Sequence, residues 1–259
     1  MDAAFNVAVL VTANSVIRTS LKTGKVQMTA FDLEDIRHLP SALLERLSGF
    51  DHLFSAEEYL ETAIERDRSL RTLIRDINQH CLSGTVIGYH YTRAFPGDIL
   101  THGLKARTGE EWRRTFLAQH RDRFTDDEIN VIQCAWARYY DSSAKDARDN
   151  RIFFTFNWYE PTDSAVRLLL QHFGGEQIYF ALLGQFPAIA SKLSTIGEPL
   201  ILKCTLDPSD IRVTREDPWG MLVASVYHRV VKPTAYKYGF DGYTLKPVAP
   251  QDIELSKSR

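Results

Sequence analysis

Three side chains of this 259-residue sequence have the types that could act chemically at one site: His90, Glu176 and Asp241. His90 ends an apolar run, and its ring could donate a hydrogen bond to a ligand. Glu176 follows two glycines at the end of a helical pattern, where packing does not need a carboxylate. A carboxylate beside a reacting group stabilises positive charge that develops there. The elements around these residues decide whether they could act together.

The first of these elements is the segment 86–106, which reads VIGYHYTRAFPGDILTHGLKA. Its apolar start predicts a strand ending in YHYT, and the Pro-Gly pair predicts a turn before a short helix. Taken alone, YHYT favours a plain strand with a half-buried histidine. Together, the strand-end His90 with Thr92 and the later ILxxGL spacing that ends at Gly103-Leu104 resemble the first motif of the ADP-ribosyltransferase superfamily.

Two further segments follow in the order of that superfamily. Residues 151–157 (RIFFTFN) predict an aromatic strand, which resembles the family's second motif at Phe154-Thr155. The His-first branch of the family supplies a tyrosine here, and Tyr159 is the nearest candidate. Residues 247–253 (PVAPQDI) resemble the phrase that closes the family's last strand, which puts Asp241 at the position of the catalytic glutamate.

The resemblance covers roughly residues 86–255 and implies an NAD-dependent mono-ADP-ribosyltransferase, which is a glycosyltransferase. It implies NAD as cofactor and co-substrate, with a macromolecular acceptor that could be RNA, DNA or protein. A bacterial toxin or anti-phage defence effector, with an antitoxin or other inhibitory partner, is the implied setting. The residues that it implies for NAD binding are His90, Tyr91, Thr92, Phe154, Thr155 and Tyr159, and those for catalysis are His90, Glu176 and Asp241.

The sequence does not decide whether Glu176 or Asp241 is the catalytic carboxylate. Aspartate is one methylene shorter than glutamate, and a displacement of about 1 Å matters for a positioned group. The pair Asp241-Gly242 is also typical of a turn. Gly174-Gly175 before Glu176 is equally typical of a plain helix end with an exposed glutamate. If neither carboxylate serves, the chain is a catalytically dead NAD- or nucleotide-binding module of the same fold.

A second alternative keeps NAD and changes the reaction to RNA 2′-phosphotransfer. That chemistry needs several arginines and histidines around a phosphate, and Arg93 and Arg107 are the arginines near the His90 motif. The alternative therefore ranks lower. The most basic local stretch lies further along, and it predicts either a solvated helix face or a phosphate contact surface. Its members are Arg113, Arg114, His120, Arg121 and Arg123.

The expected fold is α+β, with an ADP-ribosyltransferase-like split mixed or antiparallel sheet around an NAD cleft. Residues 1–85 predict an N-terminal region with a hairpin around Thr23-Gly24 and helices, and 86–259 the transferase-like domain with a helical insertion at 107–150. Capping boxes are predicted at Ser55 with Glu58, Thr108 with Glu111 and Thr125 with Glu128. Leu70, Leu73, Ile74 and Ile77 are spaced to line one buried helix face.

Composition bounds these hypotheses. The chain has 31 basic and 33 acidic side chains, a formal net charge of −2, so a nucleic acid would need a local patch or pocket. Three widely spaced cysteines without a CxxC pair, and eight scattered histidines, predict no metal site and a reducing compartment. Apolar runs fall short of the roughly 20 residues that span a bilayer, and the N-terminus lacks a basic n-region. A cytoplasmic protein without membrane contact is expected.

Overall fold

The computed structural model describes residues 30–140 and 147–256, and the fold of this part is α+β, as predicted. Its strands are β1 (Val86–Ala94), β2 (Ile152–Thr155), β3 (Glu198–Leu206), β4 (Asp241–Thr244) and β5 (Ile253–Ser256). Its helices are α1 (Ser41–Ser48), α2 (Asp51–Ala56), α3 (Leu60–Arg66), α4 (Arg68–Leu82), α5 (Pro96–His102), α6 (Gly109–His120), α7 (Asp126–Tyr139), α8 (Arg167–Gln171), α9 (Glu176–Tyr179), α10 (Pro187–Leu193) and α11 (Pro218–Val231). The hairpin predicted around Thr23-Gly24 lies outside the described residues.

The described strands form one sheet in the order β4-β2-β1-β3-β5, and every neighbouring pair is antiparallel. The sequence-based expectation was a split sheet. A single sheet results because β1 bonds β3 along one side and β2 along the other. Strands β4, β2 and β1 are consecutive in the sheet although long stretches of chain separate them.

The two faces of β1 bury different residues, because successive side chains of a strand point to opposite faces. Tyr89 and Tyr91 pack under Trp158 on one face. Gly88 and His90 belong to the other face, beside the main core. A side chain at Gly88 would collide with Leu206, because a Cβ there would lie 2.7 Å from its Cδ1 atom.

The main core joins the helices before residue 85 to the sheet. One hydrophobic cluster contains side chains of α4, of α11 and of the inner strands. Helices α4 and α11 approach closely at Gly220, and the Asn78 side chain of α4 accepts hydrogen bonds from the backbone amides of Trp219 (3.0 Å) and Gly220 (3.3 Å). The main core therefore contains side chains from both sides of residue 85. The domain boundary predicted at residue 85 stays a prediction, because it concerns whether the two parts fold independently.

A second hydrophobic cluster lies among the helices that follow β1. Phe116 of α6, Trp136 of α7 and Ile178 of α9 are buried together in it. Two of the three predicted capping boxes are confirmed, at Thr108 with Glu111 and at Thr125 with Glu128, which explains where α6 and α7 begin.

Two predictions in the N-terminal helices had different outcomes. The capping box at Ser55 and Glu58 was wrong: Ser55 lies inside α2, and α3 begins at Leu60. The buried stripe of α4 is confirmed, since Leu70, Leu73, Ile74 and Ile77 are all buried. Across residues 30–140 and 147–256, the helices are too short or too polar to cross a bilayer.

Candidate active site

Tyr89, Thr155 and Asp241 form a row across three adjacent strands. Tyr89 of β1 pairs with Thr155 of β2, and Thr155 pairs in turn with Asp241, the first residue of β4. Paired residues in an antiparallel sheet share a face, so the three side chains lie on the same side. Residues Asp241-Gly242 thus begin a strand, and the turn that this pair favours in isolation does not form.

Tyr159 joins this row from the segment that leaves β2. The Tyr91 hydroxyl accepts a hydrogen bond from the Tyr159 amide (2.7 Å) and donates one to the Tyr159 carbonyl oxygen (3.1 Å). Burial raises the pKa of the Tyr159 phenol, and the negative charge of Asp241 raises it further. Asp241 is exposed, yet protein atoms around its carboxyl displace enough water to raise its pKa. The structure therefore brings Tyr91, Tyr159, Thr155 and Asp241 together.

The sheet face that carries Asp241 is open at β2 and β4. Phe153 lies 42% exposed on this face, and its ring centroid is 5.4 Å from that of Tyr243. Arg151 places its guanidinium carbon 4.5 Å from the centre of the Tyr243 ring. This open face, formed by Arg151, Phe153, Thr155, Asp241 and Tyr243, offers an aromatic surface, a cation and a carboxylate side by side.

His90 faces away from Asp241. It lies one residue after Tyr89, so its side chain is on the opposite face of the sheet. Its Nδ1 atom lies 2.8 Å from the carbonyl oxygen of Phe153, and burial lowers the pKa of the ring. A neutral ring that donates from Nδ1 to this carbonyl keeps Nε2 as its acceptor nitrogen. His90 therefore connects β1 to β2.

Three other residues predicted to bind NAD are placed as follows. Phe154 is 1% exposed and belongs to the main core, where its ring centroid lies 5.8 Å from that of His90. Thr92 is half-buried on the same face as His90. Tyr91 is 3% exposed, so its contribution is the support of Tyr159. The accessible aromatic ring of β2 is Phe153, because the alternation of the strand turns Phe154 inward.

Glu176 lies apart from the row, in the helical part of the molecule. It is the first residue of α9, and its carboxylate is 2.8 Å from the Nε atom of Arg148. Tyr140 donates a hydrogen bond to the Glu176 carbonyl oxygen. The structure thus pairs Glu176 with Arg148 and places it beside the second hydrophobic cluster, to which Tyr140 and Ile178 belong.

The motif segments after β1 meet the closing phrase. Leu104 and Val248 form an antiparallel bridge with two backbone hydrogen bonds of 2.9 Å each. Gly103 has a φ of 68° and packs against Val248 and Pro250 so closely that a side chain would not fit. The ILxxGL helix end therefore contacts the PVAPQDI segment directly.

The sequence matches no protein-family model, and no similarity was found to a curated protein or a solved structure. The function of the site must accordingly be inferred from its geometry. In the two described stretches, histidine, cysteine and acidic side chains do not converge into a group that could hold a metal ion. Cys204 is a buried thiol, and burial raises its pKa to about 12.

Sequence reasoning missed Arg151, Phe153 and Tyr243. The signal that could have found them is the alternation along RIFFTFN, in which Arg151, Phe153 and Thr155 share one face. Tyr243 follows by the same rule, two residues after Asp241. The pattern alone leaves open which of the two faces is buried.

Proposed function

We propose that the protein is an NAD-dependent ADP-ribosyltransferase whose reacting site is the open face around Asp241. The observation that carries the proposal is the row of Tyr89, Thr155 and Asp241, which aligns the three motif strands side by side. The contact of Leu104 with Val248 supports it, since two further motif segments meet there. The acceptor is a macromolecule, and a toxin or defence role is part of the same proposal.

The groups on the open face suit the parts of NAD. The exposed Phe153 ring suits stacking with nicotinamide, and the Arg151 cation beside Tyr243 suits the pyrophosphate. The Asp241 carboxylate suits the nicotinamide ribose. When bound, NAD supplies an ADP-ribosyl group whose bond to nicotinamide breaks, with the bonding electron pair leaving on nicotinamide.

Asp241 is the catalytic carboxylate in this proposal. Its negative charge stabilises the positive charge that develops on the ribose carbon before the acceptor bonds to it. Partial desolvation strengthens that interaction, because charges attract more strongly where water is displaced. Glu176 is the weaker candidate, since Arg148 already neutralises its carboxylate at 2.8 Å.

His90 acts as a positioning residue. Its hydrogen bond to the Phe153 carbonyl holds the strand that presents Phe153 and Thr155. Tyr91 similarly fixes Tyr159 through two hydrogen bonds. The phosphotransfer alternative loses support because the Arg93 guanidinium already donates hydrogen bonds to the backbone carbonyl oxygens of Ile196 (2.9 Å) and Gly197 (2.9 Å).

Nicotinamide release from NAD tests the proposal, with RNA, DNA and lysate protein offered as acceptors of a labelled ADP-ribosyl group. We expect Asp241→Asn to lower release by about 100-fold or more, and Glu176→Gln to stay within about threefold. The exposed Asp76 of α4, changed to Asn, is the matched control. A folded wild-type protein that neither consumes NAD nor labels any acceptor would overturn the proposal in favour of a catalytically dead binding module.

His90 is tested by two substitutions. Asparagine can donate a hydrogen bond from a position close to that of Nδ1, and alanine cannot. We expect His90→Asn to retain most of the activity and His90→Ala to lose it. Equal loss in both variants would contradict a positioning role through the hydrogen bond to the Phe153 carbonyl.

A further inference from the structure

Arg212 extends the open face beyond β4. It lies directly opposite Tyr243 in an antiparallel bridge, where the Arg212 amide donates to the Tyr243 carbonyl oxygen (2.8 Å) and the Tyr243 amide donates to the Arg212 carbonyl oxygen (3.2 Å). Directly opposed residues share a face of a sheet, so the Arg212 side chain lies on the same side as Tyr243 and Asp241. The chain around Arg212 thus continues the sheet by one residue pair past β4.

The two neighbours of Arg212 along the chain explain why it faces this way. A Cβ at Gly242 would lie 2.7 Å from Cγ2 of Ile211 and 2.8 Å from Cγ1 of Val213, so both side chains cover Gly242 on the opposite face. Ile211 is buried in the main core, and Val213 packs against that core. Because side chains alternate along extended backbone, burial of these two leaves Arg212 on the open face, where it is exposed.

Two arginines therefore border Tyr243, one from each side. Arg151 approaches from β2, with its guanidinium carbon 4.5 Å from the centre of the Tyr243 ring, and Arg212 approaches from the other edge of β4. The ion pairs among residues 30–140 and 147–256 include neither arginine. Desolvation raises the pKa of Asp241, whereas an adjacent guanidinium would lower it. Both cations are therefore available to a ligand.

We infer that Arg151 and Arg212 form a two-arginine site for the diphosphate group of a nucleotide, which lies over Tyr243 between them. Arginine pairs with phosphate through two parallel hydrogen bonds, and two cations on one face match the two charges of a diphosphate. Two strand spacings of about 4.8 Å separate β2 from Arg212, a span that two long side chains can close over a ligand.

The exposed Phe153 ring beside this site favours a nucleotide over a free diphosphate. Its centroid lies 5.4 Å from that of Tyr243, and the accessible ring can stack on an unsaturated ring of the same ligand. The identification of this group with the pyrophosphate of NAD rests on the proposed function. The two-arginine site itself rests on the positions of Arg151 and Arg212.

Titration calorimetry with ADP-ribose tests the site, because ADP-ribose carries the diphosphate and lacks nicotinamide. We expect Arg151→Gln and Arg212→Gln each to weaken binding about tenfold. Arg212→Lys should recover only part of the affinity, because lysine keeps the charge and loses the paired hydrogen bonds. Arg138→Gln removes a charge from the exposed face of α7, and we expect less than about a twofold change. Inorganic pyrophosphate should bind more weakly than ADP-ribose and respond to Arg212→Gln, whereas adenosine should not respond.

Three results would overturn the inference. They are a wild-type protein that binds neither ADP-ribose nor pyrophosphate, an Arg212→Gln variant with wild-type affinity, and equal weakening by Arg138→Gln. Arg212 contributes to the sheet through its backbone, so urea unfolding of Arg212→Gln should match that of the wild type. Pyrophosphate bound as tightly as ADP-ribose would overturn the nucleotide assignment.

The kinetics of nicotinamide release separate this inference from the proposed function. The diphosphate does not react, so Arg212→Gln should raise KM for NAD about tenfold and change kcat less than about twofold. Asp241→Asn should instead lower kcat. A protein that binds ADP-ribose through Arg212 and consumes no NAD would retain the phosphate site and overturn the proposed function. NAD consumption with the same KM in Arg212→Gln and the wild type would do the reverse.

Discussion

The Nδ1 atom of His90 lies 2.8 Å from the carbonyl oxygen of Phe153, so the histidine of the first motif is bonded to the backbone of the second motif's strand. This bond crosses between β1 and β2 on the face opposite Asp241. One ring thereby links two strands whose other face carries the proposed site.

Acidification should destabilise the protein in part through His90. Burial lowers the pKa of His90, so the unfolded chain takes up its proton first as the pH falls through about 6.5. The free energy of unfolding is therefore highest above that pH and falls as the pH drops below it, until the folded protein also binds the proton. His120 and His172, whose pKa values burial also lowers, add to the fall.

Urea unfolding at several pH values checks this prediction. We expect His90→Asn to flatten part of the fall, because the titrating ring is gone. The control is His102→Asn at the exposed end of α5, which should keep the wild-type slope. A slope that His90→Asn leaves unchanged would contradict the assignment.

Gly97, inside α5, and Gly103, directly after its end, should respond oppositely to substitution by alanine. Gly103 has a φ of 68° and a ψ of −166°, and a Cβ there would meet the Val248 carbonyl. We expect Gly103→Ala to lower the free energy of unfolding by about 2–4 kcal/mol. Gly97 has open space around its Cα, so Gly97→Ala should be neutral or stabilise by up to about 1 kcal/mol. Thermal and urea unfolding of both variants would decide.

Arg93 should prove to be a structural arginine. Its guanidinium donates to the carbonyl oxygens of Ile196 and Gly197, each at 2.9 Å, and more weakly to that of Leu170 at 3.4 Å. Arg93→Met leaves those acceptors unpaired and should cost about 2–3 kcal/mol. Arg138→Met, on the exposed face of α7, should stay within about 0.5 kcal/mol. Equal stability of the two variants in urea would refute the structural role.

The rate of nicotinamide release should fall on the acid side as Asp241 takes up a proton. Its pKa is raised by desolvation, so the fall should occur at a higher pH than the value of about 3.9 that is usual for aspartate. Glu176→Gln should keep this acid limb. The raised pKa also means that ionised Asp241 does not add to stability at neutral pH. The free energy of unfolding of Asp241→Asn should therefore be at least as high as that of the wild type.

Asn78 should contribute to the joint between α4 and α11. Its side-chain oxygen accepts hydrogen bonds from two amides at the start of α11, which would otherwise be buried without partners. Asn78→Ala should cost about 1–2 kcal/mol. Asn130→Ala on the exposed face of α7 is the comparison, with little expected effect. Chemical denaturation of both variants measures the difference.

Local signals predicted a large part of the fold. The capping boxes at Thr108 and Thr125 fix the starts of α6 and α7, because both partners of each box lie three residues apart. The apolar run that became β1 was also recognisable. Helix α11 was missed, because it is buried on nearly all sides and therefore has no polar face to reveal its period.

The candidate site was less predictable because it depends on long-range contacts. An alternating strand shows that Phe153 and Thr155 share a face, and only the surrounding core decides that Phe154 points inward. The partner of Glu176 is Arg148, 28 residues earlier, and no local pattern joins them. Likewise, Asp241-Gly242 favours a turn until pairing with β2 makes it a strand.

The strand order has a consequence for synthesis on the ribosome. Strand β1 is complete at Ala94 and its direct neighbours are β2 and β3, yet the row that ends at Asp241 is complete only after β4 has emerged, about 150 residues after β1. At roughly 5–20 residues per second, this leaves the motif histidine without the strand of Asp241 for roughly 8–30 s. Under the proposed function, a nascent chain in that interval carries His90 and lacks Asp241, so it cannot transfer ADP-ribose until β4 has been made.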